Sequence, residues 1–141
     1  MDWLAQMTGN FQLSGGYQFV DATIISAPGQ PSLVNTWVAQ VPHNSLTFQG
    51  RYTNPSFLSF SAQGRFIGMQ LDTNKFPMGN FFVLDAMVSR NLTRGTEIFA
   101  SVENLFNEQY VSTAATAWSP SQIGLPIAAR FGIRFDLPSK H

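Results

Sequence analysis

The stretch that decides the fold reads Ala129-Arg130-Phe131-Gly132-Ile133-Arg134-Phe135-Asp136-Leu137. Apolar and polar residues alternate along it, which is the period of a β-strand because successive side chains point to opposite faces. One face carries the apolar residues Phe131, Ile133, Phe135 and Leu137. A strand of a soluble sandwich shows this pattern with its apolar face on a core. A strand of a membrane barrel shows it with that face on lipid and the polar face on the lumen.

The composition of the chain is low in charge. Its 141 residues are enough for one domain. Charged residues make up 11% of the chain, against roughly 25% in an average soluble domain. A barrel with a lipid face and a polar, mostly uncharged lumen has such a composition. The net charge of zero gives no reason to expect a nucleic-acid partner, and the absence of cysteine excludes disulfides and thiolate metal sites.

The sequence contains neither a candidate membrane helix nor an export signal at its start. The most apolar run, 81–88, is interrupted by Asp85 and is shorter than the ~18 residues that a membrane helix needs. Met1-Asp2-Trp3 has no basic segment, and no apolar export segment follows it. An outer-membrane protein needs such a signal. We therefore expect that Met1 is not the natural start; the alternative is that the chain is not a membrane protein.

Alternating segments recur along the whole chain. The predicted strands lie within 11–25, 43–53, 57–70, 81–91 and 97–103, and the short segment 2–7 precedes them. With the terminal strand they make seven, many of ten or more residues, and membrane strands need ~9–11. Their connections alternate between short turns at 8–10, 54–56 and 93–95 and long loops at 26–42, 71–80 and 108–127. Outer-membrane barrels have this arrangement, with the short turns periplasmic and the long loops outside.

The number of predicted strands is too small for a closed barrel. Bacterial single-chain barrels have an even number of strands and at least eight. An open sheet would leave unpaired backbone groups in the hydrocarbon. Either the chain is a part of a longer barrel, or it needs strands from partner chains.

Four segments carry a resemblance to a receptor family. Val102-Glu103-Asn104-Leu105-Phe106, followed by Tyr110, resembles a run that TonB-dependent outer-membrane receptors carry before their last loop and strand. Val41-Pro42-His43-Asn44-Ser45 with Tyr52, and Phe82-Val83-Leu84-Asp85-Ala86, resemble strand starts of that family. The close of the final loop and the last strand are matched by Gly124, Pro126, Arg130 and Gly132.

The resemblance implies a fold, a location and partners. It makes residues 1–141 the C-terminal segment of a receptor β-barrel, an all-β antiparallel up-and-down meander without the plug domain and the earlier strands. Members of the family are 22-stranded barrels with a plugged lumen in the bacterial outer membrane. They take up scarce small-molecule ligands such as siderophores, cobalamin or carbohydrates. The implied partners are membrane lipid, the remaining strands and plug, the TonB energy-coupling system acting through that plug, and the barrel-assembly machinery. No cofactor is implied.

The terminal strand also resembles the signal by which outer-membrane barrels are recognised for assembly. The spacing that matches the signal is that of Arg130, Gly132, Phe135 and Leu137. The chain continues through Pro138 to His141, whereas the family usually stops at an aromatic residue. The plug and its energy-coupling box are missing from these 141 residues.

Charged residues are predicted mainly on the lumen face. The lumen-facing set is Arg51, Arg65, Asp85, Glu103, Arg130 and Arg134. These residues could contact the plug or a ligand, or they could form a structural network along the wall. Alternation along 81–91 puts Arg90 on the lipid face. Arg90 lies beside a predicted periplasmic turn, where its long side chain can reach the headgroups. A set of aromatic residues could form the interfacial girdles of a barrel, or in a soluble protein would belong to its core; this set is Tyr17, Phe19, Tyr52, Phe57, Phe66 and Phe82.

Two functional classes remain open at this point. The first is a fragment of an outer-membrane transporter, in which Trp118 of the longest outer loop either contacts the ligand or packs within the loop. The second is a small standalone β-protein, either a soluble ligand binder or a structural barrel built from several chains. The chain shows no catalytic arrangement, because His43 opens a strand beside a proline and no nucleophile elbow is present. His43 and His141 have no partners at metal-ligand spacing.

Overall fold

The structure is a computed structural model that describes residues 1–54, 56–93, 95–113 and 120–136. Its main element is one antiparallel sheet of seven strands. These strands are β1 (Asp2–Thr8), β2 (Phe11–Phe19), β3 (Asn44–Thr53), β4 (Ser59–Ile67), β7 (Phe81–Thr93), β8 (Thr96–Glu103) and β11 (Ala128–Phe135). They lie side by side in chain order, which confirms the predicted all-β meander.

Short elements occupy the long connections. A 3-10 helix spans Pro31–Leu33, β5 (Gln70–Leu71) pairs with β6 (Pro77–Met78), and β9 (Val111–Thr113) pairs with β10 (Gln122–Ile123). All three long connections leave the same end of the sheet, because each follows a strand of the same direction. The short turns lie at the opposite end, as the sequence predicts.

The register places every apolar set on the same side of the sheet. Directly paired residues on adjacent antiparallel strands point to the same face. One such row across the sheet is Phe11, Tyr52, Phe60, Val88, Ala100 and Phe131. We call the side that carries this row the apolar face. The polar face is the opposite side, which carries the row Gln12, Arg51, Ser61, Met87, Ser101 and Arg130.

Two aromatic rows border the apolar face. The row near the long connections contains Tyr17, Phe66 and Phe82, and the row near the short turns contains Phe11, Tyr52 and Phe60. Phe11 and Tyr17 are six positions apart along β2, which is a distance of about 20 Å at ~3.4 Å per residue. That spacing approaches the apolar band of outer-membrane barrels, which is about 25 Å tall.

Several predicted boundaries are wrong. β2 ends at Phe19, not at residue 25, because the chain after it folds back on its own loop, where Thr23 bridges to Trp37. β4 covers Ser59–Ile67, since Gln70 belongs to a hairpin in the next loop. Of the seven strands only β3 and β7 reach ten residues.

The loop predicted at 71–80 contains part of an ordered hairpin. Its turn is held by the carboxylate of Asp72, which accepts hydrogen bonds from the backbone N–H groups of Asn74 (2.8 Å) and Phe76 (2.7 Å). Hydrogen bonds from an aspartate side chain to nearby backbone N–H groups are an alternative to those of helices and sheets. These two hydrogen bonds explain why this polar stretch adopts a defined conformation.

The described part of the chain has almost no interior. Its buried apolar side chains are Phe81 and Val83. On the apolar face, by contrast, Phe131 is 82% exposed and Phe135 is 66% exposed. None of the helices in the described ranges has the length and hydropathy to cross a membrane. The sheet is therefore a single layer in the described ranges, and most of its apolar face is exposed.

Candidate functional site: the rim cluster at the end of β8

The chain makes a sharp turn directly after β8. Asn104 and Asn107 both adopt left-handed backbone conformations, each with φ of 50°. Asparagine tolerates this region better than most residues. The backbone N–H of Asn107 donates to the carbonyl of Asn104 at 2.8 Å, which closes the turn. The two asparagines thus allow the reversal of direction without glycine.

Asn104 is the centre of a hydrogen-bond cluster and is only 3% exposed. Its amide nitrogen donates to the carbonyl oxygens of Glu108 (3.0 Å) and Leu125 (2.8 Å). Its amide oxygen accepts the backbone N–H of Glu108 at 2.9 Å. A buried side-chain amide with this set of partners has little unsatisfied polarity. We call Asp85, Asn104, Asn107, Glu108 and Tyr110 the rim cluster.

Asp85 joins the rim cluster to the neighbouring strand. Its carboxylate accepts the backbone N–H of Asn104 at 2.9 Å. Leu105 N–H donates to the carbonyl of Leu84 at 2.8 Å beside it. Asp85 is predicted from the sequence among the lumen-facing charges, and its register partner Gln63 does lie on the polar face. The carboxylate, however, is bonded to the backbone of the turn, so Asp85 fixes the position of Asn104.

Residues 102–110, which resemble the receptor family, contain aromatic side chains that lie on opposite sides of the sheet. Phe106 is 62% exposed and its ring lies 6.2 Å from that of Phe82, on the apolar face. Tyr110 returns to the polar face, where its ring stacks on Phe81 with centroids 4.0 Å apart. The Asn104 turn therefore carries the chain across the rim of the sheet.

Tyr110 connects three parts of the polar face. Its hydroxyl accepts a hydrogen bond from Arg65 at 3.2 Å, and the Arg65 guanidinium lies 5.9 Å from the Phe81 ring centroid. Gly124 passes directly beside the Tyr110 ring, because a Cβ at Gly124 would lie within 2.6 Å of three ring atoms. Only glycine leaves room for the tyrosine there.

The rim cluster also sets the start of the last strand. The side chain of Asn107 accepts the backbone N–H of Ile127 at 3.1 Å, and Asn104 holds Leu125. The next residue, Ala128, then pairs directly with Glu103. The register of β11 against β8 is thus continuous with the rim cluster.

Ion pairs line the polar face next to this edge. Arg130 contacts both carboxylate oxygens of Glu103, at 2.5 and 3.3 Å, and Arg134 contacts Glu97 at 2.6 Å. The arginine side chains are 63% and 57% exposed, so each pair contributes about 0–1 kcal/mol to stability. Glu97 lies on the same face as Arg134 by alternation, but no motif in the sequence marks it as a site residue.

The predicted site residues are distributed over several places. Asp85 belongs to the rim cluster, and Arg65 bonds to Tyr110 of that cluster. Arg51 lies farther along the polar face between its register partners Gln12 and Ser61, and it forms no ion pair with another described residue. Gly132 and Phe135 are in β11. Leu137 and Trp118 lie outside the described residues. Across the described ranges, no group of three or more metal-binding side chains is present.

A cavity of about 460 Å³ lies beside Tyr110 at the end with the long connections. It is formed between the β5–β6 hairpin and the segment that follows the rim cluster. Its lining includes Asp72, Phe76, Met78, Gln109 and Tyr110. Its volume is within the range of about 300–1,000 Å³ that small-molecule sites occupy.

Comparisons with known proteins find outer-membrane receptors and transporters. The ferrichrome outer membrane transporter/phage receptor of Escherichia coli K12 is 28% identical over 119 residues, which are 77% of this chain and 16% of that protein. The siderophore receptor PiuA of Acinetobacter baumannii superposes with a TM-score of 0.81 at 17% identity, covering 94% of this chain and 20% of that one. No protein-family model matches the chain.

A second solved receptor gives the same result. The closed form of the ferric-catecholate import receptor Fiu of E. coli K12 superposes with a TM-score of 0.78 at 20% identity, covering 94% of this chain and 19% of that one. The chain spans about a fifth or less of the length of these relatives. The predicted resemblance and the predicted outer-membrane class are confirmed: the chain has the fold of a section of the β-barrel wall of TonB-dependent outer-membrane receptors.

Proposed function

We propose that this chain is the C-terminal part of the barrel of a TonB-dependent transporter that takes up a scarce small-molecule ligand. The observation that carries the proposal is the exposed apolar face of a one-layered sheet. Large contiguous apolar surfaces are rare on soluble monomers and mark contact with membranes or partners. In a barrel wall, lipid covers this face and the polar face lines the lumen.

The two free sheet edges support a longer barrel. No described strand pairs with the outer edge of β1 or of β11. Within a membrane, unpaired backbone groups cost several kcal/mol each. Further strands of the same protein would complete both edges, and β11 would form the closing seam with the first strand. The assembly-signal role of Arg130, Gly132, Phe135 and Leu137 belongs to the same proposal.

The polar face is suited to a plug. It presents uncharged hydrogen-bonding groups together with the ion pairs of β8 and β11, and Arg51 is free to contact another domain. In this proposal the plug, acting with TonB and inner-membrane energy, gates the passage of ligand. The ion pairs hold the wall in shape around it.

The ligand would meet the chain at the end that carries the long connections. The cavity beside Tyr110 has aromatic, amide and carboxylate groups, a mixture that can bind a polar organic molecule. One similar structure is named a siderophore receptor and another a ferric-catecholate import receptor, so an iron chelate is the first ligand to test. Trp118, in the same connection, remains a candidate for this contact.

Fractionation of the source organism tests the proposal. An antibody raised against the loop 26–42 should detect a heat-modifiable outer-membrane protein several times larger than 15.6 kDa. Deleting that gene should reduce growth on a ferric siderophore as the iron source. A soluble protein of 15.6 kDa would instead show a standalone β-protein, and the transporter proposal would be abandoned.

A further inference from the structure

Arg90 is an exception on the apolar face. It pairs directly with Ile98, and Ile98 pairs with Ile133, so its side chain leaves the sheet on the lipid side. Among the described residues of the seven strands, it is the charged residue that alternation places on this face. Its guanidinium is exposed and forms no ion pair or hydrogen bond with another described residue. The cation at this position therefore has no partner in the part of the chain that the structure describes.

An apolar groove adjoins Arg90. Its volume is about 500 Å³, and its lining includes Val88, Ile98, Ala100, Phe131 and Ile133 together with Arg90. Ala100 lies between Val88 and Phe131 in the same register row. The short alanine side chain forms the floor, and the larger neighbours form the walls. The groove is therefore a depression in the lipid-facing surface with a cation at one end.

The depth of Arg90 fits a lipid headgroup. Arg90 lies two residues beyond Val88, which belongs to the aromatic row of Phe11, Tyr52 and Phe60. Two residues correspond to about 7 Å along a strand, in the direction of the short turns. Aromatic rows of barrels mark the membrane interface, so Arg90 lies at headgroup level and the groove extends from it toward the hydrocarbon.

We propose that this groove binds one anionic phospholipid, with its phosphate on Arg90 and one acyl chain between Val88, Ala100 and Phe131. The guanidinium fork matches phosphate oxygens in a bidentate geometry, and the unpartnered cation provides the charge complementarity. Strands that complete the barrel join β11 at its edge, so they extend the wall and leave its face open to lipid. The inference rests on the proposed membrane function, and the short-turn side places the lipid in the periplasmic leaflet.

Native mass spectrometry of the full-length parent protein tests the site. The protein would be delipidated in detergent and titrated with palmitoyl-oleoyl phosphatidylglycerol and, separately, with the phosphatidylcholine of the same chains. We expect one phosphatidylglycerol to be retained at least tenfold more strongly than phosphatidylcholine. Arg90→Gln should abolish this preference for phosphatidylglycerol. Ala100→Phe fills the groove but keeps the cation, and it should reduce the retention of phosphatidylglycerol as much as Arg90→Gln does.

Two matched variants control for charge and for size. Arg51→Gln removes a cation from the polar face, and Ala62→Phe adds the same ring to the apolar face away from Arg90. Both should bind phosphatidylglycerol as the unmodified protein does. Ala100→Leu serves as the groove variant if Ala100→Phe does not give a heat-modifiable barrel. Equal retention of both lipids, or loss with Arg90→Gln but not with either groove variant, would overturn the proposal.

The outcomes also separate this inference from the proposed function. A heat-modifiable outer-membrane barrel that shows no lipid preference would refute the lipid site alone. A parent protein that is not found in the outer membrane would refute the transporter proposal and the lipid site with it.

Discussion

The ring of Phe99 lies directly over Gly132 on the polar face. The two residues are register partners on β8 and β11, and a Cβ at Gly132 would lie 2.5 Å from Phe99 Cζ. Arg134 then lies on the same ring, with its guanidinium carbon 5.7 Å from the ring centroid. Glycine next to an aromatic ring is a recognised way of pinning strand register. The glycine of the predicted assembly signal thus also has a packing role.

Gly132→Val should destabilise the closing strand of the parent barrel by about 1–3 kcal/mol, because the added methyl groups overlap the ring of Phe99. The temperature at which the heat-modifiable band shifts on a gel should fall. Phe99→Leu should restore much of that loss when combined with Gly132→Val. If the double variant is as impaired as Gly132→Val alone, the glycine acts through recognition by the assembly machinery and not through the ring.

Asn104→Ala should loosen the final connection. Removing the side-chain amide leaves the Leu125 and Glu108 carbonyls and the Glu108 N–H without their partner, at a cost of about 1–3 kcal/mol for each buried group left unsatisfied. Hydrogen exchange at Glu108 and Ile127 should accelerate. Asn104→Gly is the matched control for backbone strain, since glycine accepts the left-handed φ. Equal protection in both variants and the unmodified protein would contradict the central position of this amide.

Tyr110→Phe should have a smaller effect than Tyr110→Ala. The phenylalanine keeps the stack on Phe81 and loses the hydrogen bond from Arg65, a loss of about 0.5–1.5 kcal/mol. The alanine also loses the stacked pair, which adds about 0.5–1.5 kcal/mol beyond the buried area. Thermal unfolding of the detergent-solubilised parent protein measures both changes. An equal shift of the two melting temperatures would show that the stack contributes nothing.

Phe135→Arg should reduce the amount of barrel assembled in the outer membrane. Phe135 is 66% exposed on the apolar face and belongs to the proposed assembly signal. It lies nearer the short turns than the row of Arg90, where an arginine costs only about 0–1 kcal/mol, so the expected loss comes from the broken signal and not from burial of charge in the hydrocarbon. Gly29→Arg introduces the same charge in a loop where a Cβ meets nothing within 4 Å, and it should assemble normally. Quantitative immunoblots of heat-modifiable protein compare the two. Normal levels of the Phe135 variant would remove the assembly-signal interpretation.

Neutralising the ion pair of Arg134 and Glu97 should change stability little. Both side chains are partly exposed, so Glu97→Gln should shift the unfolding free energy by no more than about 1 kcal/mol. The loss should shrink further at high salt, because exposed charges are screened. A large loss that persists in 1 M salt, where the screening length is about 3 Å, would mean that the pair is desolvated in the complete barrel.

Three features follow from the sequence alone. They are the face of the sheet that each side chain occupies, the order of the strands, and the alternation of short turns with long loops. The period-two alternation in segments such as Phe131–Phe135 is a local property, since each side chain alternates sides whatever the strand pairs with. Short turns such as 54–56 bring consecutive strands together, so the meander follows as well. The resemblance of the Val102–Tyr110 segment to the receptors then identified the class of barrel.

The rim cluster and the strand ends were decided by tertiary structure. Asp85 and Asn104 are 19 residues apart, and Arg65 and Tyr110 are 45 residues apart. Contacts of this separation depend on register and on loop paths, which local propensity does not encode. The same holds for the end of β2, which is predicted to run to residue 25 but stops at Phe19 because Thr23 bridges to Trp37 within the loop. Alternation therefore determines which face a residue occupies, and only the folded loops determine which residue it meets there.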